Sequence, residues 1–349
     1  YLNTYNETPA AARNTLRGTA TLNYTLYDGG KKDALYDQLL YNVNASKENL
    51  EAVRNTISLD VTRLYYEYLS YIAYKNATHE QIRQLEAELQ RLEVYYETGS
   101  VTRDEVDKID SSVKIEKVVL NEIDLAIQRV LFTLEYYTTQ EITSIEAGSS
   151  VRLNEREAVV MRPDIKALDF EAKALMSDAQ STKSDNYPTL YFDNTYTYSD
   201  YNFEDNSMQS SFLVNEQNIA TLNVEWNLFD FGATTEAYES KQYAYLSKKA
   251  LLEHQINKAN VDYRLAKKEL EIIKAKIAAT KATLDAASST FELIKIKYQN
   301  GAIDNVAYLQ SLSEKYGAQR VYEQAKNDLE IKKAEVLYYS GHTIEEYLK

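Results

Sequence analysis

Residue types that could support catalysis or metal binding are sparse in this chain. Its 349 residues include no cysteine, and its three histidines, His79, His254 and His342, lack the spacing of metal ligands. Gly29-Gly30 and Phe231-Gly232 could suggest a ligand-binding loop, but a bend between a strand and a helix explains them better, because glycine permits the required backbone angles. No nucleophile motif is present. The sequence therefore predicts no enzymatic activity, no bound metal and no cofactor.

Two sequence motifs recur at the same offset of 202 residues. Leu26-Tyr27-Asp28-Gly29-Gly30 returns as Leu228-Phe229-Asp230-Phe231-Gly232, and Tyr96-Glu97-Thr98-Gly99 returns as Tyr298-Gln299-Asn300-Gly301. Because both pairs share the offset, the segments between the motifs have equal length. We interpret the chain as an internal tandem repeat of a short strand followed by a long helix.

Composition and charge narrow the class of protein. Only 9 Gly and 3 Pro occur, which predicts unusually long helices. A net charge of −14 argues against nucleic acid or an anionic lipid surface as a partner. No apolar run reaches about 18 residues, so a transmembrane helix is not predicted. A location in a membrane is still possible, since a strand of a β-barrel crosses the bilayer in about 10 residues and gives a weaker hydrophobic signal in the sequence than a transmembrane helix does.

Apolar residues at spacings of three, four and seven predict a helix over residues 34–98 and a second one over 234–299. Each ends at a glycine, Gly99 or Gly301, that can adopt the left-handed conformation of a helix C-terminus. Return helices are predicted at about 103–138 and 304–340, which makes two antiparallel helical hairpins. The seam of the first helix comprises Leu35, Leu39, Val43, Leu50, Val53, Ile57, Val61, Leu64, Tyr68, Ile82, Leu85, Leu89 and Leu92.

Three segments alternate between apolar and polar residues, as expected of strands with two different faces. They cover residues 19–26, 188–201 and 218–229, and residues 6–17 and 202–217 are predicted to be loops. Three strands are too few to close a sheet, so closure requires other chains. The apolar face could meet lipid or a protein core. Its candidate lipid-facing residues are Leu22, Tyr24, Leu26, Leu190, Phe192, Val224, Trp226 and Leu228.

The chain resembles the TolC family of outer-membrane efflux proteins over nearly all of its length. The resemblance is carried by Arg162-Pro163-Asp164, Tyr187-Pro188-Thr189-Leu190, the segment from Trp226 to Gly232 and the two tyrosine–glycine motifs at the helix tips. It implies a mainly α-helical fold with membrane β-strands, in which three subunits share a 12-stranded transmembrane β-barrel in the outer membrane of a Gram-negative-type bacterium. The helices would form a periplasmic tunnel, an α-barrel, through which solutes are exported.

The resemblance also implies a division of the chain into segments. Residues 1–30 hold the end of a strand, an extracellular loop and a barrel strand. Residues 31–138 form the first hairpin and residues 139–161 an equatorial segment. A short tunnel helix at 162–186, a strand–loop–strand unit at 187–230, the second hairpin at 231–340 and an equatorial tail at 341–349 follow. The sequence starts with neither an initiator Met nor a signal peptide, so we expect Tyr1 to be a processed or truncated start. The repeat predicts that roughly 50 residues, with a short helix and a strand, precede it.

Partners and a gate are implied at the helix tips. Tyr96, Gly99, Tyr298 and Gly301 are expected to contact a periplasmic adaptor, which links the channel to an inner-membrane pump. Family members often carry a ring of acids six and nine residues after the second tip glycine, but these positions hold Ala307 and Gln310.

The nearest acids to the tips are Asp304, Asp104, Glu105 and Asp107. A ring of acids in a narrow pore would favour cations. Asp304 could instead only complement the dipole at the start of a helix.

A second class of protein is compatible with the helices alone. In it, the chain is a soluble or filamentous coiled-coil protein whose strands form a small sandwich. The strands separate the two hypotheses, because Leu190, Phe192, Val224, Trp226 and Leu228 would then lie in a dry core.

Overall fold

The computed structural model describes residues 14–154, 158–202 and 213–348, and helices dominate this part of the chain. In chain order the elements are β1 (Asn14–Tyr27), α1 (Lys31–Glu97), α2 (Arg103–Thr138), α3 (Pro163–Lys183), β2 (Thr189–Asn202), β3 (Glu216–Glu225), α4 (Ala233–Gln299) and α5 (Asn305–Tyr339). Short 3-10 turns occupy Ser184–Asn186 and Ile344–Tyr347. No described helix is both long enough and apolar enough to cross a membrane.

The helices carry the 202-residue spacing that the motifs show. Helices α1 and α4 contain 67 residues each, and their first residues, Lys31 and Ala233, lie 202 positions apart. Helices α2 and α5 contain 36 and 35 residues. Neither α1 nor α4 contains a glycine or a proline, so nothing in their sequence interrupts the hydrogen-bond ladder. At about 1.5 Å per residue, each extends for roughly 100 Å.

Two predicted strand boundaries are wrong. Strand β1 already begins at Asn14, within the predicted loop 6–17, because β2 continues to Asn202 and offers partners up to that point. Strand β3 ends at Glu225 rather than 229, since its partner strand begins at Thr189 directly after Pro188, which has no backbone N–H. Residues 1–13 and 203–212 lie outside the described residues. They include the predicted end of a strand before residue 6 and most of the two predicted loops.

The contacts divide the chain into two units, and the sheet lies in the unit of residues 1–46 and 168–252. The strand order is β1-β2-β3, and both neighbouring pairs are antiparallel. Below the sheet, α3 contacts the adjoining ends of α1 and α4. Phe170 stacks with Tyr41 at 6.4 Å between ring centroids, and Asp178 accepts a hydrogen bond from Lys241 at 2.9 Å.

The second unit, residues 47–167 and 253–349, holds the buried apolar clusters. Near the helix tips, side chains from all four long helices meet in one cluster: Ala77, Leu85, Leu92, Val106, Ile109, Val113, Phe291, Tyr298, Tyr308, Leu312 and Tyr316. Further from the tips, α1 packs on α2 in one cluster, and α4 packs on α5 in another. The two hairpins are therefore held together by their apolar faces, as their periodicity predicts.

The predicted equatorial segment, 139–161, contains no helix or regular strand in its described residues 139–154 and 158–161. Backbone contacts tie it to the chain's C-terminal end. Val151 forms an isolated β-bridge with Leu348, and Arg152 donates a backbone hydrogen bond to Tyr347 at 2.9 Å. The Tyr65 hydroxyl accepts hydrogen bonds from the backbone N–H groups of Gly148 and Ser149. These bonds satisfy backbone groups that no ladder pairs.

The predicted seam of α1 is only partly buried. Its second half enters the apolar clusters through residues such as Tyr68, Leu85 and Leu92. Its first half is exposed in the isolated chain at Leu35, Leu39, Val43, Leu50, Val53 and Ile57. The period of three and four residues is present throughout, but a single chain covers only part of the resulting stripe.

Candidate functional site

The two helix tips have the same C-terminal hydrogen bonds. At the first, the Gly99 N–H donates to the Tyr96 carbonyl at 2.9 Å and the Ser100 N–H donates to Tyr95 at 2.8 Å. At the second, Gly301 donates to Tyr298 at 3.0 Å and Ala302 donates to Lys297 at 2.9 Å. Both glycines are left-handed, with φ of +73° and +71°. This is the Schellman motif, in which the last carbonyl groups of a helix accept hydrogen bonds from the following residues. The motif favours glycine, because a β-carbon causes steric strain at positive φ.

The two tip tyrosines differ in exposure. Tyr96 is 42% exposed and lies beneath the Arg103 guanidinium, 5.6 Å from the ring centroid. Tyr298 is 7% exposed and stacks on Tyr308 of α5, with 4.8 Å between centroids. The Tyr308 ring therefore covers the Tyr298 side chain in the isolated chain, and the expected contact of Tyr298 with an adaptor stays a prediction.

Asp304 is the N-cap of α5. Its carboxylate accepts a hydrogen bond from the Ala307 backbone N–H at 3.0 Å, which satisfies one of the unpaired N–H groups of the first turn. This geometry agrees with the interpretation of Asp304 as a helix-start acid. Because the N-cap bond can form whatever surrounds the helix, it neither requires nor excludes a second role in a pore.

Other acids lie on a neighbouring helix start. Asp104 on α2 accepts hydrogen bonds from the Thr102 hydroxyl and from Lys108, and these bonds lower the pKa of its carboxyl. Asp107 is paired with Arg103 at 3.0 Å. Asp104, Asp107 and Gln310 line one shallow groove between α2 and α5. The structure thus brings Asp104 and Gln310 together, whereas neither Asp304 nor Ala307 is part of that groove.

The register of the sheet separates an apolar face from a polar one. Residues directly opposite each other across antiparallel strands share a face. Tyr24, Phe192 and Leu222 form one such row, and Leu190 lies opposite Val224 in the next. The β1 and β3 members of this face are exposed in the isolated chain, including Leu22 and Leu222. The predicted apolar face therefore exists, and no part of the described chain covers these residues.

Three predicted members of the apolar face lie outside the regular ladder. Leu26 falls at a register shift between Thr25 and Tyr27. Trp226 and Leu228 follow the end of β3, and the Trp226 indole N–H donates to the Asn186 carbonyl at 3.1 Å. Their side chains are exposed, but strand alternation does not decide their direction.

The opposite face carries a hydrogen-bonded row that the sequence analysis missed. The Asp193 carboxylate on the central strand accepts hydrogen bonds from Asn23 on β1 and from Asn223 on β3, the latter at 2.8 Å. Asn23 lies directly opposite Asp193, whereas Asn223 lies two positions along β3 from Thr221, the residue opposite Asp193. We call these three hydrogen-bonded residues the Asn23–Asp193–Asn223 row. Alternation marked them as polar, but it could not show that they contact one another, because the contacts depend on the register between strands.

Each strand-to-helix junction is capped by the aspartate of the repeated motif. The carboxylates accept four backbone hydrogen bonds: Gly30 to Asp28 at 3.1 Å, Lys32 to Asp28 at 2.9 Å, Gly232 to Asp230 at 3.0 Å and Thr234 to Asp230 at 2.8 Å. Hydrogen bonds from Thr234 and Gly232 lower the pKa of Asp230, since they favour its charged form. The repeated Asp thus stabilises the start of each long helix.

The Arg162-Pro163-Asp164 motif joins α3 to the end of α5. Arg162 makes two hydrogen bonds to the Asp164 carboxylate, at 3.0 and 2.6 Å. Its guanidinium also lies 5.2 Å from the ring centroid of Tyr338. Burial lowers the pKa of Arg162, but the bonds to Asp164 outweigh it and the pKa is raised. A lysine at this position would lose the two parallel hydrogen bonds to Asp164 and the stacking of the planar guanidinium on Tyr338.

Comparison with known proteins supplies a family. The sequence profile described as outer membrane efflux protein matches residues 3–137 and 156–342. No curated protein sequence matches the chain.

Several solved structures share the fold. A membrane protein from Pseudomonas aeruginosa is 15% identical, with a TM-score of 0.81 over 96% of this chain and 83% of that chain. The outer membrane protein VceC from Vibrio cholerae is 17% identical, with a TM-score of 0.80 over 95% of this chain and 88% of that chain. The MtrE outer membrane channel of Neisseria gonorrhoeae in its open state is 14% identical, with a TM-score of 0.77 over 97% and 81%.

Proposed function

Because this chain belongs to the outer membrane efflux protein family, we propose that it is one subunit of a homotrimeric export channel. In this proposal three copies share one β-barrel in the outer membrane, and their long helices surround a tunnel in the periplasm. Solutes cross the outer membrane through this duct without any covalent change. The protein is then a transporter and not an enzyme.

The sheet is the observation that carries this proposal. One of its faces is apolar and is exposed on the outer strands, and the other carries the Asn23–Asp193–Asn223 row. Within the described residues, β1 and β3 each have a strand partner on one side only. An isolated open sheet of this kind would expose apolar side chains and unpaired backbone groups to water. Closure with other copies in a bilayer removes both penalties, with the apolar face toward lipid and the polar face toward a wet bore.

The exposed helix stripes support assembly with further copies. The first half of α1 leaves an apolar row uncovered, and α4 does so at Tyr243, Leu246, Val261 and Leu265. Apolar stripes of this length are uncommon on a monomer in water, because covering them would lower its free energy. A tunnel wall made of several subunits covers them by packing helix against helix.

The helix tips are the proposed docking site for a periplasmic adaptor, which connects the channel to an inner-membrane pump. Tyr96, Gly99 and Gly301 are accessible there, and neither glycine carries a side chain that would hold a partner helix away. Tyr298 supports the second tip from within, through its stack on Tyr308.

The periplasmic gate is proposed at the same end of the tunnel. Its candidate residues are Asp304, Ala307, Gln310 and Asp104. Since Ala307 and Gln310 carry no charge, the charge of an acidic constriction comes, among these four candidates, from Asp104 and Asp304. Asp104 is the better supported of the two, because it lines the same groove as Gln310.

Particle images of the detergent-solubilised protein test the proposal. We expect extraction from membranes only with detergent, threefold symmetry, a short barrel at one end and conductance in a planar bilayer. A monomer that remains in aqueous buffer and covers its apolar sheet face with its own residues would overturn the proposed function.

A further inference from the structure

The two strand-to-helix junctions have the same backbone but a different residue at one position. Gly29 and Phe231 are equivalent in the repeat, and both are left-handed, with φ of +69° and +57°. The capping bonds of Asp28 and Asp230 around them agree within 0.1 Å. A side chain at position 231 therefore leaves its junction in the same relative direction as a side chain at position 29 would.

At the first junction, a side chain at Gly29 would point toward the turn that precedes β2. A β-carbon at Gly29 would lie 2.8 Å from the Tyr187 β-carbon and 2.9 Å from the Ser184 carbonyl oxygen. Ser184 and Tyr187 belong to the turn that leads into β2, the strand paired with β1. The direction is thus lateral, along the sheet toward the neighbouring strand. Only glycine fits there, for both its backbone angles and its lack of a side chain.

At the second junction the equivalent place is empty within the described residues. Phe231 is 91% exposed, and Phe229, which is 72% exposed, lies 4.5 Å from it between ring centroids. The adjacent edge of β3 has no partner among the described strands. A positive φ is unfavourable for a phenylalanine, and such strained backbone conformations persist only where other contacts of the folded protein enforce them.

We propose that Phe229 and Phe231 form an aromatic knob that packs against a second copy of this chain at the free edge of β3. The inference rests on the proposed trimer. In the assembled sheet, a strand of the neighbouring copy and the turn before it take the place beside β3 that β2 and residues 184–187 take beside β1. Phe231 fills the space between β3 and the neighbouring copy, whereas the equivalent position between β1 and β2 is occupied by Gly29, which has no side chain. The knob makes the contact between subunits chemically different from the β1–β2 contact within a subunit.

Site-specific photo-crosslinking tests the occupant. The full chain is produced with a photoreactive phenylalanine analogue at position 231, and a matched sample carries it at Leu222 on the apolar sheet face. After irradiation of membranes, the 231 probe should yield covalent oligomers of the chain, whereas the Leu222 probe should yield lipid adducts. A trimer whose 231 probe gives lipid adducts alone would overturn the knob and leave the proposed channel intact. A chain that stays monomeric would overturn both.

Phe231→Gly separates a role between subunits from a role in folding. Because glycine is the residue best suited to φ of +57°, the monomer's unfolding midpoint in denaturant should stay unchanged or rise. The temperature at which the trimer dissociates should fall by several degrees, while the control Glu51→Gln, a change on the exposed surface of α1, should leave it unchanged. Equal dissociation temperatures for Phe231→Gly and the unaltered protein would contradict the proposal.

Discussion

Glu335 on α5 is a buried carboxylate held by cations from two helices. Its oxygens accept hydrogen bonds from Arg63 on α1 at 2.8 Å and from Lys332 at 2.7 Å. Lys332 also reaches Glu269 on α4 at 2.8 Å. Burial raises the pKa of Glu335, but the bonds to Lys332 and Arg63 outweigh burial, and the pKa lies below its ordinary value. The cluster thus connects α1, α4 and α5.

We expect Glu335→Gln to lower the free energy of unfolding by roughly 1–3 kcal/mol at pH 7, because charge-assisted bonds to buried groups are lost. The native pKa of Glu335 is depressed, so its stabilisation is present above the unfolded pKa of about 4.3 and is lost as pH falls through the native pKa. Denaturant titrations in detergent at pH 7 and at pH 3 measure this difference.

A matched control is Glu51→Gln, since Glu51 pairs with Arg54 on the exposed surface of α1. Its effect should stay below about 1 kcal/mol at both pH values. If the Glu335 variant loses as much stability at pH 3 as at pH 7, the ion pairs are not the source of the effect.

The glycines allow a second test at single positions. At Gly301, φ is +71° and nothing lies within 4 Å of a β-carbon, so Gly301→Ala should cost about 1 kcal/mol through backbone strain alone. Gly317 lies inside α5 with equal open space, and Gly317→Ala should stabilise by about 0.5–1 kcal/mol because alanine favours a helix. Thermal unfolding followed by circular dichroism compares the two, and changes of equal sign would contradict the tip geometry.

At the level of strands and helices, tertiary neighbours decide where alternation ends. Strand β1 lengthens to match β2, and β3 stops where β2 begins. The Asn23–Asp193–Asn223 row joins the three strands on the polar face, which helps to hold their register. A one-residue slip would move every apolar side chain to the polar face.

Two neighbouring residues of β3 test which face meets lipid. Leu222 lies on the apolar face, in the row with Phe192, and Thr221 lies on the polar face opposite Asp193. We expect Leu222→Arg to destabilise the assembled barrel by about 2–4 kcal/mol, because the guanidinium would enter hydrocarbon. Thr221→Arg should cost far less, since its side chain would point into water. The fraction of heat-resistant trimer on a gel compares them, and equal losses would argue against a lipid-facing side.

For the whole molecule, assembly with further copies of the chain would cover both the exposed apolar helix stripes and the unpaired sheet edges. Both disappear when further copies surround one axis, because helices then cover helices and strands pair with strands. In the proposed tunnel the gate lies at the helix tips, so we expect the first turns of α2 and α5 to matter most for its opening.

If the proposed gate is correct, opening of the tunnel requires the tip of the second hairpin to move away from its neighbours. Asp304→Cys combined with Asp104→Cys should therefore block conductance in a planar bilayer when oxidised and restore it when reduced. The chain has no native cysteine, so only the introduced pair can react. Covalent trimers on a gel report bonds between subunits. Full conductance in the presence of those bonds would contradict a gate at the tips.

Much of this architecture was readable from local patterns. The repeated motifs at Asp28 and Asp230 marked both junctions, and Tyr96 and Tyr298 marked both tips, because caps and turns depend on residues close in sequence. Alternation likewise assigned Tyr24, Phe192 and Val224 to one face. The family resemblance added the expected assembly.

Other features needed the folded chain. Tyr96 and Tyr298 occupy the same position of the repeated tip motif, yet one is exposed and the other buried, because only the second contacts Tyr308. In the sequence, Phe231 is only a substitution for the first glycine of the repeated motif. Its positive φ and its exposure are known from the structure alone. Periodicity and capping are properties of neighbouring residues, so the amino-acid sequence alone identified the helices, strands and turns. Burial, ion pairing and register depend on residues distant in the chain, and folding alone brings those together.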